Sequence, residues 1–210
     1  VVERDRLPRR PEPRKGVPQG RHVHVLLPRG LRILEAYFPG LTDRVLGEGA
    51  LKLDVGRDIA WRYGGGWRTR YGSELDLVAA SRPLFEAHVR ERVRALPNVT
   101  IREGVRVEAP IVEEGALTGA SIRDGQARGT IAADLLVDAT GRGSPMPRWL
   151  EQLGYASPTT AMIPAPLTYA TCLFPRSDPG PDWRALVVNG PAAKRAAFCL
   201  AIEGDRWLVT

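Results

Sequence analysis

Leu136-Val137-Asp138-Ala139-Thr140-Gly141-Arg142-Gly143 is the stretch of sequence that decides the fold. It ends a short apolar run, residues 134–138, in an Ala-Thr-Gly turn. Apolar residues over this length between turn formers predict a strand buried on both faces in a parallel sheet. Ligands of such sheets bind beyond the carboxyl ends of the strands, and a glycine there lets a ligand approach the backbone. The stretch therefore predicts a buried strand followed by a ligand site.

The first residues of the chain form a second pattern of the same kind. Val1-Val2-Glu3-Arg4-Asp5 is typical of the end of a buried strand that finishes in an acid. In a dinucleotide-binding fold an acid at this place accepts hydrogen bonds from the ribose hydroxyls of the cofactor. Glu3 is therefore the candidate ribose ligand, and a solvated acid at a strand end is the alternative.

Together the two segments resemble the FAD-dependent monooxygenases of the para-hydroxybenzoate hydroxylase fold, a group that also contains flavin-dependent halogenases and polyprenyl reductases. The resemblance covers nearly the whole chain. It implies FAD as cofactor, NAD(P)H as electron donor, and transfer of one oxygen atom from O2 to a small organic substrate, with aromatic and polyketide-like molecules as the classes considered. Because the flavin carries such chemistry and the protein positions it, no catalytic side chain is assigned.

The family places a Gly-x-Gly-x-x-Gly turn roughly 20 residues before the ribose acid. No such turn is found in this sequence. Gly64-Gly65-Gly66 has the wrong spacing, and the run from Gly141 to Met146 has Met where the third Gly is needed. We therefore expect the sequence to be an internal segment of a longer enzyme and to be inactive by itself.

Further cofactor contacts follow from the resemblance. Arg14 would meet the cofactor pyrophosphate, since a planar Arg fork matches phosphate oxygens, and Lys15 is the weaker candidate. Arg82 begins a predicted helix, where a positive charge opposes the helix dipole, so an Arg without an anionic partner there favours a diphosphate contact. The backbone of Val107 would recognise adenine. The candidate cofactor-binding residues are Glu3, Arg14, Arg82, Val107, Asp138, Ala139, Thr140 and Gly141.

The pattern of apolar residues predicts a mixed α/β chain. One helix is expected from Leu27 to Phe38, and a second follows a Ser81 cap. The predicted strands lie within 51–72, at 99–102, 105–112, 117–123 and 129–133, and then at 167–174, 185–188, 197–202 and 207–210. We expect an FAD-binding Rossmann-like domain with a β-meander over residues 1–155. The start of a mixed or antiparallel substrate-domain sheet is expected over residues 156–210.

Composition excludes several other classes. The net charge of +6 comes from arginines spread along the chain, without the aromatic interleaving of a nucleic-acid surface. No apolar stretch reaches the roughly 18 residues of a membrane span. Two cysteines without metal spacing are typical of a reduced, cytoplasmic protein. His22 and His24 share one side of an extended segment, but no third ligand completes a metal site, so we expect none.

Three functions stay open at the level of sequence. The first is part of a flavin monooxygenase, and the second is a flavoenzyme of the same fold, such as a halogenase or an isoprenoid reductase. A halogenase would need a Lys near its substrate, and Lys52 and Lys194 stand in no recognisable motif for that role. The third is a non-catalytic binding module, because fold similarity alone does not decide the reaction.

Overall fold

The fold is described from a computed structural model covering residues 1–189 and 195–210, so Lys194 lies outside the described residues. The chain is mixed α/β with several sheets and forms two compact units. Unit 1 contains Val1–Leu7 and Val99–Leu167, and unit 2 contains Pro8–Asn98 and Thr168–Thr210. Both units are discontinuous in sequence, whereas the division into residues 1–155 and 156–210 concerns function and stays a proposal.

The helices and strands are numbered in chain order. The helices are α1 (Pro28–Tyr37), α2 (Leu41–Gly47), α3 (Arg82–Arg94) and α4 (Met146–Gln152). The strands are β1 (Val2–Glu3), β2 (Leu51–Asp54), β3 (Ile59–Tyr63), β4 (Gly66–Trp67), β5 (Asp76–Ala79), β6 (Arg102–Glu103), β7 (Val105–Glu113), β8 (Ala116–Asp124), β9 (Ala127–Ala132), β10 (Cys172–Pro175), β11 (Ala185–Asn189), β12 (Ala196–Ile202) and β13 (Arg206–Val209). Short 3-10 turns lie at Pro18–Arg21 and Gly141–Gly143.

Unit 1 is built on the predicted β-meander. Strands β7, β8 and β9 pair antiparallel in that order, which confirms the meander. Its apolar face buries Val105, Ala120 and Ile122. Strand β1 pairs parallel with β6, so that Glu3 lies opposite Glu103. This strand forms as predicted but is shorter and less buried, with Val1 71% exposed.

The predicted buried strand at residues 134–138 is wrong. These residues have no strand conformation, and Leu135 and Val137 are 77% and 75% exposed. A strand needs a neighbour to receive its backbone hydrogen bonds, and the described part of unit 1 places none alongside this segment. The apolar composition was correctly recognised, but the pairing that would bury it is absent here.

Unit 2 contains a six-stranded mixed sheet. Its order is β10-β13-β12-β11-β3-β4, and the pairs are antiparallel except for β11 and β3. The strands expected at 185–188, 197–202 and 207–210 are confirmed, and the strand expected at 167–174 begins only at Cys172. The parallel partnership of β3 with β11 was not predicted, because alternation identifies a strand without identifying its distant partner.

The two predicted helices of unit 2 are confirmed as α1 and α3. Ser81 caps α3, where its side chain accepts a hydrogen bond from the backbone N–H of Leu84 at 3.4 Å. These helices and α2 close over a shared core. Its buried residues are Leu41, Val45, Ala50, Val78, Ala80 and Leu84. The short helices α2 and α4 were not predicted, since seven residues are too few to show a helical period.

Over residues 1–189 and 195–210, no helix combines the length and hydropathy needed to cross a bilayer.

Candidate functional site

Glu3 ends β1 in unit 1 and organises the turn that follows. Its Oε1 accepts a hydrogen bond from the backbone N–H of Asp5 at 3.0 Å. The backbone N–H of Leu7 donates to Oε2 of Glu103 at 2.8 Å, which ties the segment to β6. A carboxylate accepts up to about four hydrogen bonds, so the bond from Asp5 is compatible with further donors such as ribose hydroxyls.

Asp138 builds the turn that contains the other unit 1 candidates. Its Oδ1 accepts from the backbone N–H of Thr140 at 2.8 Å, and its Oδ2 accepts from the hydroxyl of Ser144. The same hydroxyl accepts from the backbone N–H of Met146 at 2.9 Å, at the start of α4. The bonds from Ser144 and Thr140 lower the pKa of Asp138. Asp138 therefore stays ionised and shapes the loop, while Ala139 is exposed within it.

Gly141 lies in this turn with a left-handed backbone. Its φ is +79°, a conformation that residues with a Cβ rarely adopt. A Cβ built at Gly141 would meet no heavy atom within 4 Å, so no residue of the described ranges fills the space beside this glycine. The turn thus has both features that a close ligand approach requires, a glycine backbone and open space.

Val107 lies on β7, the edge strand of the meander. It faces Ile122 of β8, and a β-bulge follows it, so that Glu108 is the extra residue. Because β7 has a strand neighbour on one side only among the described residues, its outer edge keeps backbone N–H and C=O groups outside the ladder. Backbone recognition of a base needs such groups.

Arg14 and Arg82 are brought together in unit 2 by a residue that the sequence reasoning missed. Arg14 Nε donates to Glu86 Oε2 at 3.0 Å, and Arg82 Nε donates to Glu86 Oε1 at 2.6 Å. Burial alone would raise the pKa of Glu86, but the two arginines outweigh it and lower the pKa. The premise that Arg82 has no anionic partner is therefore wrong. The i,i+4 spacing of Arg82 and Glu86 on one helix was the available signal.

His22 and His24 extend this cluster. Arg82 Nη1 lies 3.4 Å from Nε2 of His24, and Nδ1 of His24 lies 3.0 Å from the backbone carbonyl of His22. Nδ1 of His22 lies 2.7 Å from the hydroxyl oxygen of Thr171. Within the described residues no three His, Cys, Asp or Glu side chains are placed to hold a metal ion.

The candidates thus fall into separate groups. Glu3 and Val107 are linked through β1, β6 and β7 of unit 1. The turn at residues 138–141 belongs to the same unit, where Asp138 holds it through hydrogen bonds from Thr140 and Ser144. Arg14 and Arg82 share Glu86 in unit 2.

Comparison with known proteins gives the class of fold. No protein-family model matches the chain. The chain is 33% identical over 223 residues to protein Rv3254 of Mycobacterium tuberculosis, covering all of this chain and 47% of that protein. PqsL of Pseudomonas aeruginosa, described as "a probable FAD-dependent monooxygenase", is 19% identical with a TM-score of 0.69 over all of this chain and 52% of PqsL.

CmlS, a flavin-dependent halogenase, is 18% identical with a TM-score of 0.57, over 99% of this chain and 36% of CmlS. A further structure shows PqsL in complex with 2-aminobenzoylacetate. The chain therefore has the fold of the FAD-dependent monooxygenases and related halogenases. It spans about half the length of Rv3254 and of PqsL.

Proposed function

We propose that this chain is part of a longer FAD-dependent monooxygenase that uses NAD(P)H and O2 to hydroxylate a small organic substrate. The observation that carries the proposal is the likeness to PqsL over the entire chain, with a TM-score of 0.69. The sequence supports it independently, because an acid ends β1 and an Ala-Thr-Gly turn follows the meander. FAD would supply the electron transfer and the reaction with oxygen.

The residues present fit this cofactor. Glu3 would accept hydrogen bonds from the ribose hydroxyls, and the free edge of β7 at Val107 would recognise adenine. Asp138 holds the turn in which Thr140 and Gly141 leave room for the cofactor. No catalytic side chain is assigned among these residues.

Arg14 and Arg82 would serve the pyrophosphate. Glu86 holds both guanidinium groups, each of which carries five N–H donors. A bound anion would therefore contact two arginine side chains that Glu86 has already oriented. The proposed role of Glu86 is to position these two side chains.

The substrate side would be formed by the sheet of unit 2. We propose that residues 156–210 begin the substrate domain, and β3 and β4 join the same sheet. Trp61 and Tyr63 on β3 are partly exposed, and Arg68 lies over both rings. A sheet with exposed aromatic rings favours a substrate that is itself aromatic.

A halogenase is the second candidate because CmlS shares the fold. It would need a Lys near the substrate, and Lys52 forms an ion pair with Asp76 at 2.7 Å. An isoprenoid reductase and a non-catalytic module remain alternatives without an observation of their own in the structure.

The full-length protein tests the proposal directly. We expect purified protein to bind FAD, to oxidise NADH or NADPH, and to consume O2 in proportion. The same reaction with chloride or bromide and a halogen-accepting phenol distinguishes the alternatives. Halogenated phenol would favour the halogenase, protein without FAD uptake would favour the binding module, and either result would contradict the proposal.

A further inference from the structure

Three arginines lie opposite one another across the meander. Arg106 of β7 faces Arg123 of β8, and Arg123 faces Arg128 of β9. We call these three residues the arginine row. Side chains alternate along a strand, so the row lies on the opposite face from buried Val105 and Ile122. Like charges directly opposite on paired strands destabilise a sheet, so a bound anion would stabilise the row.

Glu108 compensates only part of this charge. Glu108, the extra residue of the bulge after Val107, accepts from Arg123 Nε at 2.5 Å and lies 3.6 Å from Arg128 Nε. Arg106 has no carboxylate within ion-pair distance over the part of the chain that the structure describes. The row therefore retains excess positive charge.

Two residues of the arginine row, Arg106 and Arg123, line a cavity of about 450 Å³. The cavity is lined by Arg4, Gly104, Arg106, Glu108, Arg123 and Gly125, all in unit 1. The lining contains three arginines, Arg4, Arg106 and Arg123, and one glutamate, Glu108, so that its net charge is +2. The volume lies in the usual range of roughly 300–1,000 Å³ for pockets that hold small molecules. Guanidinium groups bind phosphate oxygens in a planar, bidentate geometry.

We propose that this cavity binds a phosphate dianion, and that it is a site separate from the cofactor contacts of Glu3 and Val107. None of the residues that line the cavity is among the candidate cofactor-binding residues. The phosphate could come from two sources, the 2′-phosphate of NADPH or a free phosphate. The inference does not depend on the proposed monooxygenase activity, since it rests on the charge and shape of the meander alone.

The test uses the full-length protein loaded with FAD, in a phosphate-free buffer of low ionic strength, because salt screens exposed charges. Inorganic phosphate, NADP+ and NAD+ are titrated separately by calorimetry. Wild type is compared with Arg106→Gln and with Arg148→Gln, an exposed arginine on α4 that gives the same charge change away from the cavity. We expect Arg106→Gln to weaken phosphate binding at least tenfold and Arg148→Gln to leave it within twofold.

The two nicotinamide nucleotides identify the source. NADP+ binding more tightly than NAD+, with the difference lost in Arg106→Gln, supports the 2′-phosphate. Equal binding of the two nucleotides together with Arg106-dependent phosphate binding supports a free phosphate. Wild type that binds no phosphate, or equal phosphate affinity in wild type and Arg106→Gln, overturns the proposal.

Two further readouts keep the test decisive. Arg106→Gln relieves repulsion in the arginine row, so its Tm without phosphate should equal or exceed that of wild type, while the phosphate-induced rise in Tm should disappear. A rise in Tm that persists in Arg106→Gln contradicts the proposal. If the protein takes up no FAD, the proposed function fails, and the phosphate titration of the same protein still decides this inference.

Discussion

Asp54 illustrates how single carboxylates organise this chain. It ends β2 and accepts backbone hydrogen bonds from Gly56 at 2.9 Å, Arg57 at 2.8 Å, Ser73 at 3.0 Å and Glu74 at 2.8 Å. Burial by itself raises the pKa of Asp54, but these donors outweigh it and lower the pKa to about 2. One ionised side chain thus fixes two separate turns of unit 2.

The lowered pKa of Asp54 predicts a pH dependence of stability. The stabilisation is complete above the ordinary value of 3.8 and is lost as the pH falls toward 2, because protonation removes an acceptor that the folded state uses. We expect Asp54→Asn to melt below wild type at pH 7. Melting curves from pH 7 to 2 should show the gap closing between pH 4 and 2, and a gap that stays constant over this range would contradict the assignment.

Glu3 carries the ribose prediction. In the full-length protein Glu3→Ala should weaken FAD binding by about 1.5–3 kcal/mol, the scale of a hydrogen bond to a charged group. This corresponds to a roughly 10- to 150-fold higher Kd. Glu3→Gln should lose less, since an amide oxygen still accepts. Fluorescence titration with FAD measures all three proteins, and equal Kd values for wild type and Glu3→Ala would remove Glu3 from the site.

At the scale of residues, the sequence identifies the charged side chains that could form a site. It identifies the partner of each side chain less well. Arg82 begins a helix, as the sequence predicts. Its partner Glu86 was not predicted, although the i,i+4 spacing of the two residues favours an ion pair. The second arginine on Glu86, Arg14, comes from a loop 72 residues earlier in the chain. No local rule connects residues at that separation.

At the scale of elements, α3 shows how a local signal defines a helix and aims a side chain. Ser81 caps the helix, and its own backbone N–H donates to Glu203 at 2.9 Å. Arg82 is the first helical residue after this cap. The cap and this candidate site residue are therefore adjacent in the chain.

Removal of the cap should have a measurable cost. Ser81→Ala should lower the free energy of unfolding by about 1 kcal/mol, since the N–H of Leu84 loses the side-chain acceptor and keeps only the backbone carbonyl of Ser81 at 3.2 Å. Urea denaturation of the variant checks this, with Ser177→Ala, an exposed serine outside any helix or strand, as the matched control. Equal losses in the two variants would show that the cap does not stabilise α3.

Elements with local signals were predictable, and elements that depend on distant partners were not. The meander and α3 have alternation, turns and caps within a few residues, and both are confirmed. Residues 134–138 have the composition of a buried strand, yet the structure provides no neighbour to pair with them. The β3–β11 pair joins segments more than 120 residues apart, which no short pattern encodes.

At the scale of the whole molecule, the candidate cofactor residues belong to both compact units. Glu3, Val107 and the turn at 138–141 lie in unit 1, whereas Arg14 and Arg82 lie in unit 2. The chain also covers only 47% of Rv3254 and 52% of PqsL. Activity is therefore best measured on the full-length protein, in which variants of these candidate residues test the proposed cofactor contacts.

Gly141 and Gly115 form a matched pair for that purpose. Gly115, in the turn between β7 and β8, has a φ of +82°, close to the +79° of Gly141, and a Cβ at either position meets nothing within 4 Å. Valine at either position therefore adds comparable backbone strain in comparable open space. Gly119 is unsuitable as a control, because its Cβ would collide with the backbone carbonyl of Ile131.

The most direct test of the account is the rise in Tm that FAD produces in full-length wild type, Gly141→Val and Gly115→Val. With FAD at 100 times the wild-type Kd, the cofactor should stabilise wild type and Gly115→Val by about 2.7 kcal/mol each. A 100-fold weaker site in Gly141→Val would reduce this to about 0.4 kcal/mol. An equal FAD-induced rise in all three proteins would contradict the claim that the turn at Gly141 holds the cofactor.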